Sequence, residues 1–257
     1  TYYQSVGAGG NWNVASNWEV ADNLAFTGAI AAVISPTNLN SSGIFIRSGS
    51  PITVSSAVTA DQLTVDAAAT LTVETSGTLT IANGTGTDLS VASTGTLLTN
   101  SGTATFVVNA SATVQVDGTF KEATAVPTVT VNGTITIGAT GTYEHGVNVG
   151  SIPTCTWASG STCLLKGFTT GTPSGLGQAF HHFTVDCPAL GVFHLSTSGN
   201  LQTINGNLTL ISTGASSLRL SAGTNYTLNV GGNIDVQGTS QLDFSSGGGT
   251  STINVTG

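Results

Sequence analysis

The sequence predicts an all-β fold, specifically a parallel, right-handed, three-faced β-solenoid with an aromatic N-terminal cap and one irregular region. Three observations carry this: a composition nearly free of charge, a short apolar repeat, and turn residues between the repeats. Charged residues make up 6% of the chain, against roughly 25% in an ordinary soluble domain. Hydrophobic residues reach 39%, so the chain does not lack apolar side chains for a core. The polar surface must then come from Thr, Ser, Asn and Gly. Thr is β-branched and suits a pleated strand, whereas Gly and Asn suit tight corners. Met is absent, and strong helix formers are scarce.

The repeat is read from the spacing. Leu63, Leu71 and Leu79 recur at one constant step, as do Val65, Val73 and Ile81. The pattern resumes at Leu89 and Leu97 and returns at Leu220, Leu228, Val236 and Phe244. Each unit alternates apolar, polar, apolar, the period of a half-buried strand, with Leu63, Val65, Leu71, Val73, Leu79 and Ile81 expected inside and Thr64, Thr72 and Thr80 outside. Turn signals such as Thr75-Ser76-Gly77, Asn83-Gly84 and Asn132-Gly133 separate the units. Strands this short need either hairpin partners in a sandwich or stacking on equivalents one coil away. Thr-x-Thr triplets beginning at Thr78, Thr103 and Thr128 are evenly spaced at about three such units, which favours the coil.

Four segments follow along the chain. Residues 1–50 hold the N-terminal cap and first irregular coils, and 51–142 the regular repeats. Residues 143–182 form an irregular loop or coil, and 183–257 resume the solenoid up to an uncapped end. An open solenoid end needs a plug, and Trp12 and Trp18 are the candidate cap aromatics; a sugar-stacking platform is the alternative role. The C-terminal rung has no such lid and is expected to continue into further coils or to dock on another copy, head to tail. Cys155, Cys163 and Cys187 are odd in number. Cys163 and Cys187 are separated by close to one coil of chain. Stacked strands about 4.8 Å apart fall within the Cα range of a disulfide, so this pair is the expected bridge and Cys155–Cys163 its rival.

The order Gly10-Asn11-Trp12, Asn17-Trp18, Ile44-Phe45-Ile46 and Gln62-Leu63-Thr64-Val65, with Pro173-Ser174-Gly175-Leu176-Gly177-Gln178, Phe183-Thr184-Val185-Asp186-Cys187 and Leu218-Arg219-Leu220, resembles repetitive β-solenoid surface proteins of Bacteroidota exported by the type IX secretion system. The resemblance implies an extracellular or cell-surface location and a filament or adhesin role. It carries over no catalytic residue. The C-terminal sorting domain of that architecture is missing here, which points to a fragment or processed product.

Net charge is −8, with four scattered Lys and Arg at Arg47, Lys121, Lys166 and Arg219. Nucleic acid and anionic membrane surfaces require basic clusters, and the longest apolar stretch, Ala25 to Ser35, is too short to insert in a bilayer. Hydrolases need two carboxylates at a set separation. The densest acidic group, Asp61, Asp66, Glu74 and Asp88, offers only Asp66 and Asp88 near one coil apart, with no basic neighbour in sequence. His181-His182 is the most metal-like dipeptide, but adjacent strand residues face opposite ways. No catalytic residue, cofactor or metal ligand is assigned. The expected function is a structural or adhesive extracellular segment without catalysis, partnered end to end by its own kind, with surface glycans as a further partner. A carbohydrate-binding or polysaccharide-degrading β-helix and a Thr-rich ice-binding solenoid are the alternatives.

Overall fold

The computed structural model describes residues 1–191 and 194–257. The chain is a β-solenoid: its strands stack almost entirely in parallel, and the one helical element among the described residues is a single 3-10 turn, Ala15–Asn17. It divides into two compact units, Thr1–Thr136 and Ile137–Gly257.

In the first unit, successive strands visit three parallel ladders in turn. One ladder contains Ile52–Val54, Thr70–Val73, Thr96–Thr99 and Thr119–Glu122. The second contains Ala57–Ala60, Thr78–Ile81, Thr105–Val108 and Thr128–Val131. The third contains Gly43–Ile46, Leu63–Val65, Leu89–Val91 and Thr113–Val116. Register aligns like with like, because a one-residue slip would expose every apolar side chain. Ile52 lies opposite Leu71, Leu71 opposite Leu97 and Leu97 opposite Phe120. Val58, Leu79 and Phe106 form a second stack, and Ile44, Leu63, Leu89 and Val114 a third. The expected inward residues Leu63, Val65, Leu71, Val73, Leu79 and Ile81 are all buried. Thr64 and Thr80 are half-buried on the outer side, and Thr72 is covered more deeply, between Thr53 and Leu98. Fully burying each Leu contributes about 1.5–3 kcal/mol before the entropy of ordering is counted.

Two details of the repeat differ from the sequence reading. The coil is not constant in length: more chain separates Leu71 from its neighbour Leu97 than separates Leu97 from Phe120. As a result Thr78 aligns with Thr105, not Thr103, and Thr80 faces Val107. At Thr75-Ser76-Gly77 the left-handed residue is Ser76, with φ 62°. Gly77 is required for space instead, since a Cβ there would collide with the Val54 carbonyl oxygen.

The N-terminal residues break the parallel rule. Tyr2–Ser5 runs parallel to Gly43–Ile46 but antiparallel to Trp18–Ala21, which pairs antiparallel with Ile30–Ala31. Trp12 and Trp18 are fully buried and meet edge to face, ring centroids 5.0 Å apart. Their indole N–H groups donate to the carbonyls of Pro36 and Trp12, which removes the cost of burying a polar ring edge.

Among the described residues, and apart from the two-residue strand Thr156–Trp157, the strands of the second unit fall in three parallel ladders. Thr142–His145, Thr162–Leu165, His182–Asp186, Leu208–Ser212 and Ile234–Val236 form the longest. Ala179–Phe180, Thr203–Ile204, Tyr226–Val230 and Ser251–Val255 form another, and Leu195–Ser196, Leu218–Ser221 and Leu242–Ser245 the last. Within residues 143–182, Thr162–Leu165 stacks in register on Thr142–His145.

The expected Cys163–Cys187 bridge does not form. The coil here is shorter than in the first unit, so Cys163 lies opposite Phe183, and Cys187 falls beyond the end of that strand, His182–Asp186. Cys163 and Cys187 are separate buried thiols, and the Cys187 Sγ–H donates to the Leu165 carbonyl at 3.4 Å. Burial pushes the Cys163 thiol well above its ordinary range and Cys187 up to about 11.

Candidate functional site

The polar side chains that gather in space are best taken cluster by cluster. Arg47 and Asp66 form an ion pair at 2.8 Å, although no basic residue is near Asp66 in sequence. The Arg47 guanidinium also lies over the rings of Phe26 and Phe45, 5.1 and 4.9 Å from their centroids. The pair therefore fastens the N-terminal segment to the first coils, and the coil brings in a partner that sequence distance hid.

Of the acidic group, Asp61 and Asp88 both lie about Gly84, whereas Asp66 is held by Arg47. Asp88 is fully buried and accepts from the Gly84 and Thr113 amides at 2.5 and 2.7 Å. Burial first, and the Asp88 charge second, push the Asp61 carboxyl above its ordinary range. Because Asp88 spends its oxygens on backbone donors, it serves as a corner clamp and not as a free acid or base.

His194, Ser217 and Asp243 form a second group that sequence order alone did not suggest. The His194 Nδ1 lies 2.5 Å from the Ser217 hydroxyl and 4.0 Å from the Asp243 carboxylate. A nucleophilic triad needs the hydroxyl on one ring nitrogen and the carboxylate on the other. Here both approach Nδ1, Ser217 is buried, and Asp243 is engaged by Arg219 at 2.8 Å. The geometry is that of a surface ion-pair network.

His181 and His182 stand edge to face, 4.4 Å between centroids. His182 Nδ1 accepts from the Asn207 amide at 3.0 Å, and His181 Nε2 shares a hydrogen bond with Ser159 at 3.1 Å. Burial, with His181 adding to it, lowers the His182 pKa. Among the described residues no three His, Cys, Asp or Glu side chains converge as a metal site. His145 is a buried, satisfied imidazole: Tyr143 Oη lies 2.9 Å from Nδ1 and the Val149 carbonyl 3.2 Å from Nε2.

Thr side chains do form ranks. Thr78, Thr105 and Thr128 align on one ladder, and Thr59 aligns with Thr80, but Val107 interrupts this second rank before Thr130.

A broad concavity lies in the second unit, a groove of about 540 Å³ on the outer side of the Tyr226–Val230 ladder. It arises from unequal strands. Tyr226–Val230 pairs along its full length with Ser251–Val255 on one side. On the other, the short strand Thr203–Ile204 reaches only Asn229 and Val230. The gap left beside Tyr226 and Thr227 is lined by Gln202, Asn225, Thr227, Asn229, Thr250 and Thr252, with no charged group. Its floor is the buried Tyr226, whose hydroxyl donates to the Leu201 carbonyl. A second concavity of about 230 Å³ shares Thr203 and Asn229 with it and adds Asn205 and Asn254. Sequence reading missed this groove, because it depends on a strand-length mismatch between neighbouring rungs.

No protein-family model, no curated protein and no solved structure matches this chain.

Proposed function

We propose that this chain is a structural or adhesive segment of a secreted surface protein or filament, and that it works without catalysis. The observation that carries the reading is the regular division of side chains. Aliphatic and aromatic residues stack rung on rung inside each unit, while Thr, Ser and Asn occupy the outer positions. Such coils hold themselves through backbone hydrogen bonds between rungs and present a repetitive surface with few charges. The proposed partners are further β-solenoid rungs. Two apolar exposures support this: Leu24, Ile30, Val33, Ile34 and Leu39 in the N-terminal segment, and Val236, Phe244 and Val255 in the outermost rung of the second unit.

Labelling intact cells of the source organism with antibody against the chain, before and after mild surface proteolysis, tests the reading. Surface signal lost on proteolysis is the expected result; signal only after permeabilisation would refute it.

A glycan-binding role is the second reading, favoured by the uncharged groove beside Tyr226 and Thr227. Ice binding has weaker support, since Val107 breaks the second Thr rank after two rungs.

A further inference from the structure

We infer that the groove of the second unit binds an uncharged, hydroxyl-rich glycan chain laid across the rungs, an inference that rests on the adhesive reading above. Its size, about 540 Å³, lies within the range of small-ligand sites. Its chemistry is more selective than its size. In a chain of net charge −8, the lining is made of Gln, Asn and Thr side chains with Tyr226, none of them charged. An anionic polymer would meet no basic side chain there, and a cationic one no carboxylate.

Part of the backbone of this ladder is committed: the Asn229 amide donates to the Gln202 carbonyl on the groove side and the Tyr226 amide to the Thr250 carbonyl on the other, both at 2.9 Å. A peptide adding itself as a strand would find the Asn229 end of the gap occupied. The side chains offer a ligand the longer row of polar groups. Thr227 lies opposite Thr252 and Asn229 opposite Asn254 in adjacent rungs, and all four are exposed. Asn254 donates its amide to the Asn229 carboxamide oxygen at 2.9 Å, so the two amides are held in line. Each carboxamide offers both donor and acceptor, and each hydroxyl offers either. Vicinal sugar hydroxyls present the same mixed pattern. Rungs about 4.8 Å apart repeat this pattern on the scale of a pyranose ring, and the smaller concavity around Asn205, Asn229 and Asn254 extends the track.

The test is retention of the full chain on neutral polysaccharides (β-glucan, xylan, mannan and chitin) beside the anionic alginate and polygalacturonate. It is followed by calorimetry with oligosaccharides of whichever polymer retains it. Retention on at least one neutral polymer is expected, with at least a tenfold loss of affinity in the Asn229→Ala/Asn254→Ala double variant and in Thr252→Lys. Thr80→Ala, in the other unit, should bind as the parent does. Circular dichroism melts establish that each variant is folded, and because the altered side chains are exposed, two independent groove variants guard against one misfolding. Retention on no neutral polymer, retention on the anionic ones alone, or undiminished binding by both folded groove variants would overturn the inference. Surface labelling of cells reads the adhesive role separately: a labelled surface with no glycan retention sinks the groove and leaves the segment a spacer.

Discussion

The rungs between residues 57 and 131 and the coil between residues 143 and 187 hold themselves in different ways. In the first, long coils of slightly varying length place aliphatic side chains in register, and the backbone ladder does most of the joining. In the second, shorter coils bring Tyr143, Cys163 and Phe183 opposite one another, and at the corners the backbone bonds, such as Ile152 to Ser174 and Gly191 to Thr169, are joined by side-chain bonds. Asn148 Oδ1 accepts from three successive amides, Thr169, Thr170 and Gly171, at 2.7, 2.9 and 3.2 Å. Gln178 Oε1 accepts from the Cys155 amide and the Trp157 indole, while its Nε2 donates to the Pro153 and Gly175 carbonyls. The core differs as well: Tyr143, Trp157, Phe180 and Phe183 pack ring against ring where the first unit uses mostly Leu and Val. A regular repeat lets small side chains suffice, whereas an irregular coil needs particular amides and rings at particular positions.

The largest expected effect is in the regular rungs. Phe106 is fully buried and meets Phe120 edge to face at 5.5 Å. Phe106→Ala should cost about 3–5 kcal/mol, cavity included. Urea unfolding followed by circular dichroism measures it, and a cost below about 1 kcal/mol would mean that the stack yields more than close packing permits.

Gln178→Ala comes next, at about 1–2 kcal/mol, because it removes four hydrogen-bond partners from one half-buried corner. Hydrogen exchange at the Cys155 amide and the Trp157 indole should quicken, with the Leu79 and Phe106 amides unchanged. Equal acceleration at both places would erase the contrast between the two regions.

His182 is smaller in effect and depends on pH. Its pKa is lowered by burial and by His181. The unfolded chain therefore takes up the proton first, and stability should fall as pH drops below about 6.5. In His182→Asn the carboxamide oxygen can still accept from the Asn207 amide, but the titration is gone. Melting temperatures between pH 8 and 5 should flatten relative to the parent, and parallel curves would assign the pH dependence elsewhere.

Thr80→Ser should change stability by less than about 0.5 kcal/mol, since Thr80 is an outer, half-buried position. A loss above about 1 kcal/mol, beyond the usual surface range, would show that the Thr ranks, and not only the apolar stacks, hold the regular rungs.

Much of the inner surface was legible in the sequence. Leu63, Leu71 and Leu79 announced their burial by alternation, since a strand side chain has only two faces to choose from. The Thr-x-Thr echo was readable as a coil but misled at Thr103, because corners absorb insertions without disturbing the stacks. The spacing of Cys163 and Cys187 misled for the converse reason: a shortened coil looks no different in sequence from a regular one. Of the groove, only its composition was readable; Thr and Asn are spread along the whole chain and give no sign of which of them line a hollow.

The sequence by itself determined that this chain is an all-β coil with an apolar inside, a polar outside poor in charge and two aromatic side chains to bury near its start. Local alternation and turn chemistry suffice for that. Only the tertiary structure decided which residues meet one rung away: Arg47 with Asp66, Cys163 with Phe183, and the short strand Thr203–Ile204 beside the longer Tyr226–Val230. Each of these depends on the length of a particular coil, which is set by how its corners close and not by the residues that come to lie together.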